Sequence, residues 1–100
     1  MLNLLRFADG GREAYAEYAR RFREIVAARY GVTVVYAGDG GEPLVAEPGQ
    51  QWDAVLLVSY PDLQSFGRMV ADPDYQQIAR LRTRALAEAV LQPTRPWGRA

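Results

Sequence analysis

Apolar and polar positions follow two different rhythms along this chain. Residues 2–8, LNLLRFA, are a nearly unbroken apolar run of strand length, ended by Asp9-Gly10-Gly11. Residues 12–30 switch to a helical rhythm. Tyr15, Tyr18, Ala19, Phe22, Ile25 and Val26 recur at i, i+3, i+4 and i+7, and Glu13, Glu17, Arg20, Arg21 and Glu24 take the other side. Glu17 and Arg21 stand in the favourable acid-first i,i+4 order. Asp9 is a candidate helix cap, although the two glycines after it leave the cap position open. Gly31 stands where a glycine closes a helix. Residues 32–37 are β-branched and aromatic and read as a strand, followed by a Gly-Asp-Gly-Gly turn at 38–41. The stretch to Gln51 carries Pro43, Pro48 and Gly49. It is either a hairpin excursion with Leu44-Val45-Ala46 as a short edge strand or a plain loop.

The second half repeats the theme with clearer punctuation. Residues 52–60 form a near-continuous apolar run, the mark of a strand covered on both faces, and Pro61 stops it. Asp62 is a good cap for a helix over 63–71, with Leu63, Phe66, Met69 and Val70 as its apolar stripe. Asp72-Pro73 restarts a helix, proline being suited to the first helical position, and Tyr75, Ile78, Ala79 and Leu81 or Arg82 form its inner face. Residues 85–92 carry two signals. Alanine content favours helix, and alternation favours strand; a sheet with an uncovered edge needs a partner, so a strand over about 86–93 is expected.

The order β-α-β-β-α-β is the ferredoxin-like split pattern. We therefore expect an α+β domain over residues 1–93, with an antiparallel sheet and both helical segments on one face, and a tail over 94–100 with Trp97 docked on a neighbour. The other sheet face, with residues such as Leu2, Leu4, Val35, Leu57 and Val90, is too apolar to face water; a second copy packed sheet to sheet would bury it.

Composition narrows the chemistry. The chain has 100 residues, one domain's worth, and contains no Cys and no His. Disulfides, thiolate metal sites and Cys nucleophiles are excluded, as are histidine general bases and the usual haem ligand. Every basic residue is Arg, so a lysine Schiff base is impossible, whereas forked recognition of a carboxylate or phosphate is available. The formal net charge is zero, with no basic block to attract nucleic acid. No apolar run approaches the roughly 18 residues of a membrane span. The opening MLNLLRF has no basic leader and is too short for a signal peptide, so a cytoplasmic location is expected. The acidic residues show no ligand spacing, and no metal site is expected. The glycines at 38, 40 and 41 lack the Lys and following helix of a phosphate loop and read as a turn.

Several short stretches together resemble a known family: the opening Met-Leu-Asn-Leu-Leu-Arg-Phe, Tyr15 and Tyr18, Tyr36-Ala37-Gly38, Trp52-Asp53, Asp72-Pro73-Asp74-Tyr75, and Arg82-Thr83 leading to Ala85-Leu86. The set, spread over almost the whole chain, resembles the domain of unknown function 1330 family of the dimeric α+β barrel superfamily. The resemblance implies a homodimer of ferredoxin-like subunits with a pocket between sheet and helices. Superfamily relatives include cofactor-independent monooxygenases, polyketide cyclases, haem-degrading enzymes and muconolactone-isomerase-like proteins. Leu81 stands where the family often carries His, and the polyketide-cyclase and haem-degrading relatives also use His. The chain has none, which argues against those two activities.

Each candidate residue has a plain structural alternative. Asn3, in an apolar strand, would bond a substrate carbonyl, as the superfamily's cofactor-free oxygenases use an Asn on strand one, or simply bond backbone. Tyr15 and Tyr18 would donate a proton or orient a carbonyl, or serve as core aromatics. Tyr36 and Tyr60, closing strands two and three, would line a pocket mouth. Asp53, walled by Trp52, would be a base of raised pKa, or pair with Arg82, or cap a strand end. Arg82 would clamp a carboxylate or enolate, or pair with Asp53, Asp72 or Glu88.

The expected function is a small enzyme of isomerase, lyase, cyclase or oxygenase type. It would act without bound cofactor on an apolar oxygenated small molecule, in the setting of secondary metabolism. Asn3, Asp53, Arg82 and Tyr18 are its candidate catalytic residues, and Tyr15, Phe22, Tyr36, Trp52 and Tyr60 its substrate contacts. The alternative is a non-catalytic dimeric module that binds a small molecule or supports an assembly. Either way the expected partners are a second copy and a small molecule, not nucleic acid or membrane.

Overall fold

The computed structural model describes residues 1–98, so Arg99 and Ala100 of the expected tail lie outside the described residues. Strand β1 (Leu2–Phe7) leads into helix α1 (Gly11–Phe22), which continues through a π turn (Arg23–Ala27) and a 3-10 turn (Ala28–Tyr30). Strands β2 (Thr33–Asp39) and β3 (Ala54–Ser59) follow, then helices α2 (Leu63–Ala71) and α3 (Pro73–Ala85), and strand β4 (Leu86–Gln92). The four strands form one sheet in the order β2-β3-β1-β4, every neighbouring pair antiparallel. This is the ferredoxin-like arrangement expected from the element order.

The helix ends follow the expected chemistry with one exception. Asp62 accepts from the Ser65 amide at 2.6 Å and starts α2, and Asp72 accepts from the Asp74 amide at 2.9 Å and starts α3. Gly31 closes the 3-10 turn with φ of 66°. At α1 the cap position belongs to Gly10, with φ of 68° and no side-chain cap bond, so Asp9 does not cap this helix. Gly11 is buried because α1 starts against the end of α3; a Cβ at Gly11 would sit 2.0 Å from the Ala85 carbonyl oxygen.

The π turn alters the apolar stripe of the first helix. Tyr18, Phe22 and Val26 are buried, but Ile25 is 38% exposed, because the wider turn breaks the 3.6-residue spacing on which its place in the stripe relied. Tyr18, Phe22 and Val26 pack with Met69 of α2 and Ile78 of α3 to form the core on the helical side of the sheet.

Residues 40–53 form no strand, and Leu44 and Val45 are fully or nearly fully exposed, so the plain-loop alternative holds. Arg6 anchors this loop by donating to the Gly49 carbonyl and, twice, to the Gln51 carbonyl, and it also pairs with Glu88 at 2.7 Å. Beyond Gln92 the described residues have no helix or strand, and Trp97 is 93% exposed.

Strand register separates the two sheet faces. Asn3, Leu5, Ala54, Leu56 and Val58 face the helices. Leu2, Leu4, Val55, Leu57 and Val90 face the other way and are only half-buried within one chain. The β2–β3 pairing shifts at Val35, between Val34 and Tyr36. This irregularity puts Tyr36 opposite Leu57, on the face away from the helices, where its ring folds over Gly38.

Candidate functional site

The inner sheet face does not close completely on α1. Between them lies a cavity of about 470 Å³, within the roughly 300–1,000 Å³ of small-molecule sites. Its floor is β1 and β3, through Asn3, Ala54, Leu56 and Val58. Tyr15, Tyr18, Ala19 and Phe22 of α1 form one wall, Val34 and Ala37 of β2 another, and Tyr60 and Arg82 reach it from the end of β3 and from α3. Arg12, Arg23 and Asp39 stand at its exposed rim, with Arg12 donating to Asp39 at 2.8 Å.

The local sequence explains this convergence. Tyr15, Tyr18 and Phe22 are three and four apart on α1, so they share a face. Their rings form a chain, Tyr15–Tyr18 with centroids at 5.3 Å and Tyr18–Phe22 at 5.8 Å. Tyr75 and Arg82, seven apart on α3, likewise share a face. Tyr75 meets Tyr18 hydroxyl to hydroxyl at 3.1 Å and Phe22 edge-on at 6.2 Å. The sequence places Tyr75 on the inner face of its helix, and its spacing to Arg82 is the signal that ties it to the site.

Burial sets the charge states. It raises the Tyr15 pKa, with the Arg82 charge pulling against it, and raises Tyr18 strongly, reinforced by Tyr75. Tyr60 is pushed up to about 12, chiefly by burial. These three hydroxyls therefore stay protonated at neutral pH and act as donors. Asn3 is buried in the floor, and its only side-chain bond among the described residues is a long 3.5 Å contact to the Met1 carbonyl. Arg82 makes no salt bridge among the described residues, and its Nη2 is buried without a hydrogen-bond partner.

The alternatives for Arg82 are thereby resolved. Asp72 is taken by Arg29 at 2.7 Å and Tyr30 at 2.6 Å, and Glu88 by Arg6. Asp53 is not buried and does not itself line the cavity. The strand begins only at Ala54, so Asp53 lies exposed at the sheet end, where its Oδ2 accepts from the Phe7 amide at 2.8 Å. Trp52 lies under the Arg6 guanidinium, 4.7 Å from it, and lines a separate depression with Arg6 and Gly40. Of the residues singled out from sequence, Asn3, Tyr15, Tyr18, Phe22, Tyr60 and Arg82 line the cavity. Asp53, Trp52 and Tyr36 do not.

The arrangement offers hydrogen-bond donors and one fixed positive charge inside apolar walls, the means to hold a carbonyl or an oxygen bearing negative charge. It offers no inner base. Asp39 is the one carboxylate in the lining, and it is paired at the rim. Among the described residues no group of three or more His, Cys, Asp or Glu is placed to hold a metal ion, and no helix is long and apolar enough to cross a membrane.

The family model of the domain of unknown function DUF1330 matches residues 6–92. The chain belongs to this family. Two solved structures of the RPA0582 protein of Rhodopseudomonas palustris, described as of unknown function, are similar to this DUF1330 domain. One is 31% identical with a TM-score of 0.79, covering 95% of this chain and 81% of that one. The other, of the methylated protein, is 32% identical with the same TM-score, covering 98% and 81%. A protein from Bacteroides fragilis, described as dimeric and of ferredoxin-like fold, matches at 14% identity with a TM-score of 0.50 over 89% of this chain and 86% of that one, a likeness of fold alone. No curated protein matches the DUF1330 chain.

Proposed function

We propose that this chain binds an apolar, oxygenated small molecule in the cavity between α1 and the sheet. One observation carries the reading: Asn3, Tyr15, Tyr18, Tyr60 and Arg82, from four different elements or their ends, line a single space whose inner walls are otherwise apolar, with Arg12, Arg23 and Asp39 at its rim. The polar groups fix an oxygen function, and Phe7, Phe22, Val34, Leu56 and Val58 enclose the body. No bound cofactor is invoked.

A second reading, a cofactor-independent enzyme of isomerase, lyase, cyclase or oxygenase type, is favoured by the guanidinium and protonated hydroxyls together. They would stabilise an enolate or a related oxyanion, with Tyr15, Tyr18 or Tyr60 as proton donor. The missing inner base weighs toward binding as the primary role, because a proton-abstracting step would need the substrate or water to receive the proton. A place in secondary metabolism belongs with this second reading.

We also infer that a second copy covers the apolar outer sheet face; the Bacteroides fragilis protein of ferredoxin-like fold is described as dimeric. Leu2, Leu4, Val55, Leu57 and Val90 form a contiguous patch there.

Ligand capture tests the main reading. Purified protein is denatured, and co-purifying small molecules are identified by mass spectrometry and titrated back. Saturable binding that is lost on Leu56→Trp, which fills the cavity floor, is the expected result. Binding indifferent to that substitution would remove the cavity from the reading. Conversion of the recovered compound by wild-type protein, reduced in Arg82→Gln, would favour the enzyme.

A further inference from the structure

We infer that the ligand of the α1–sheet cavity is a monoanion, a small molecule with an apolar body and one carboxylate group paired to Arg82. This rests on the cavity being a binding site and specifies what enters it.

The argument begins with charge. Among the described residues Arg12, Arg23 and Arg82 line the cavity against the one carboxylate of Asp39, an excess of positive charge. The whole chain has zero net charge. Positive potential is thus concentrated at this opening, and low-dielectric walls focus it.

The three arginines are not equivalent. Arg12 is neutralised by Asp39, and Arg23 is exposed at the rim. Arg82 is inside, with one nitrogen buried and unpartnered. Arg6, Arg12, Arg20, Arg21 and Arg29 each hold a carboxylate, and Arg23, Arg68, Arg80, Arg84 and Arg95, which hold none among the described residues, are exposed. A guanidinium nitrogen buried without a hydrogen-bond partner is costly, and the neighbouring hydroxyls of Tyr15, Tyr18 and Tyr60 are protonated and supply no counter-charge. The carboxyl end of α3, where Arg82 lies, supplies only a partial negative charge. A carboxylate supplies a full one and matches the planar fork of the guanidinium.

The same inventory argues against a phosphoryl dianion. Such a group wants several cations or a nest of backbone amides; here one inner guanidinium stands among rings and aliphatic side chains. The aromatic lining of Phe7, Tyr15, Tyr18, Phe22 and Tyr60 suits a flat or ring-bearing body.

The test uses the full chain and matched probes: benzoate, cinnamate and naphthoate, each with its primary amide, together with phenyl phosphate, in isothermal titration. The acids should bind about tenfold or more tightly than their amides, the scale of a charge-assisted hydrogen bond. Arg82→Gln, with unchanged circular dichroism, should erase the preference, and Arg23→Gln should retain it. Should Arg82→Gln not fold, the acid-to-amide ratio of the wild type decides alone. Equal binding of acids and amides would overturn the anion assignment and leave the cavity reading standing. Tighter binding of phenyl phosphate than of any acid would overturn the carboxylate in favour of a phosphoryl group. Binding of none of the probes would overturn both.

Discussion

The hydroxyls of Tyr18 on α1 and Tyr75 on α3 lie 3.1 Å apart, with their rings edge to face at a centroid distance of 6.4 Å. This pair ties the helix that walls the cavity to the helix that carries Arg82. The residues that shape the site are therefore also residues that hold the helical layer together.

That double role predicts a coupling. Tyr18→Phe leaves the Tyr75 hydroxyl without its partner, and Tyr75→Phe does the reverse to a residue that is itself buried. Each single change should destabilise the fold by about 1 kcal/mol. The double change should cost less than the sum of the two, by roughly 0.5 kcal/mol or more. Urea denaturation of the four proteins completes the cycle; strict additivity would mean that the two hydroxyls do not interact.

The tyrosine cluster also predicts where the protein fails in alkali. Tyr15, Tyr18 and Tyr60 all have pKa values raised by burial, Tyr60 to about 12. A raised pKa means that the folded chain holds its protons more tightly than the unfolded one. The stabilisation is complete below the ordinary tyrosine pKa of about 10 and is lost as pH rises above it toward the folded value. Melting temperature should be insensitive to these groups near neutrality and fall steeply above about pH 10. Tyrosinate absorbance from Tyr15, Tyr18 and Tyr60 should appear only as the fold opens. Ionisation of these three hydroxyls at about pH 10 with the fold intact would contradict their burial.

Most of the architecture was legible in the pattern, because the two rhythms and the Asp-Pro and Pro-Asp punctuation are local signals. The last strand carries competing local signals. Residues 86–92 have helix-forming composition, and the need of β1 for a neighbour overrode it. What could not be read depended on register. A shift at Val35 moves Tyr36 to the outer face, and a π turn after Phe22 moves Ile25 toward solvent; neither has a marker in the residue types. Asp53 misled for a different reason. It adjoins a buried strand in sequence, but the ladder begins one residue later, so an apparent buried base is an exposed strand-end acceptor. Arg82 was found because a charged residue interrupts an apolar helical face. That its Nη2 lacks a partner among the described residues is a three-dimensional fact.

Gly11 offers a sharp test of the packing that places α1 over α3. The Cβ of an alanine would lie 2.0 Å from the Ala85 carbonyl oxygen, and a backbone atom cannot swing aside. Gly11→Ala should cost at least about 2 kcal/mol, or leave the chain unfolded, despite alanine's better helix propensity. Gly41→Ala is the control, since nothing lies within 4 Å of its new Cβ. A Gly11→Ala protein as stable as wild type would show that the two helices sit farther apart than described.

The outer sheet face gives the last prediction. The row Tyr36–Leu57–Leu2 lies beside the row Val55–Leu4–Val90, and within one chain their aliphatic members are only half covered. Such a face, apolar across three central and edge strands, is suited to burial rather than water. A carboxylate in its middle, Leu57→Glu, would have to be desolvated twice in a symmetric dimer, once from each subunit. In light scattering at micromolar concentration the wild type should have the mass of two chains and Leu57→Glu the mass of one, with circular dichroism little changed. Glu88→Gln is the comparison, since it alters only a half-exposed ion pair with Arg6 at the border of the patch, and it should remain dimeric. A wild-type monomer would leave the apolar face to another partner, and a Leu57→Glu dimer would place the contact elsewhere on the molecule.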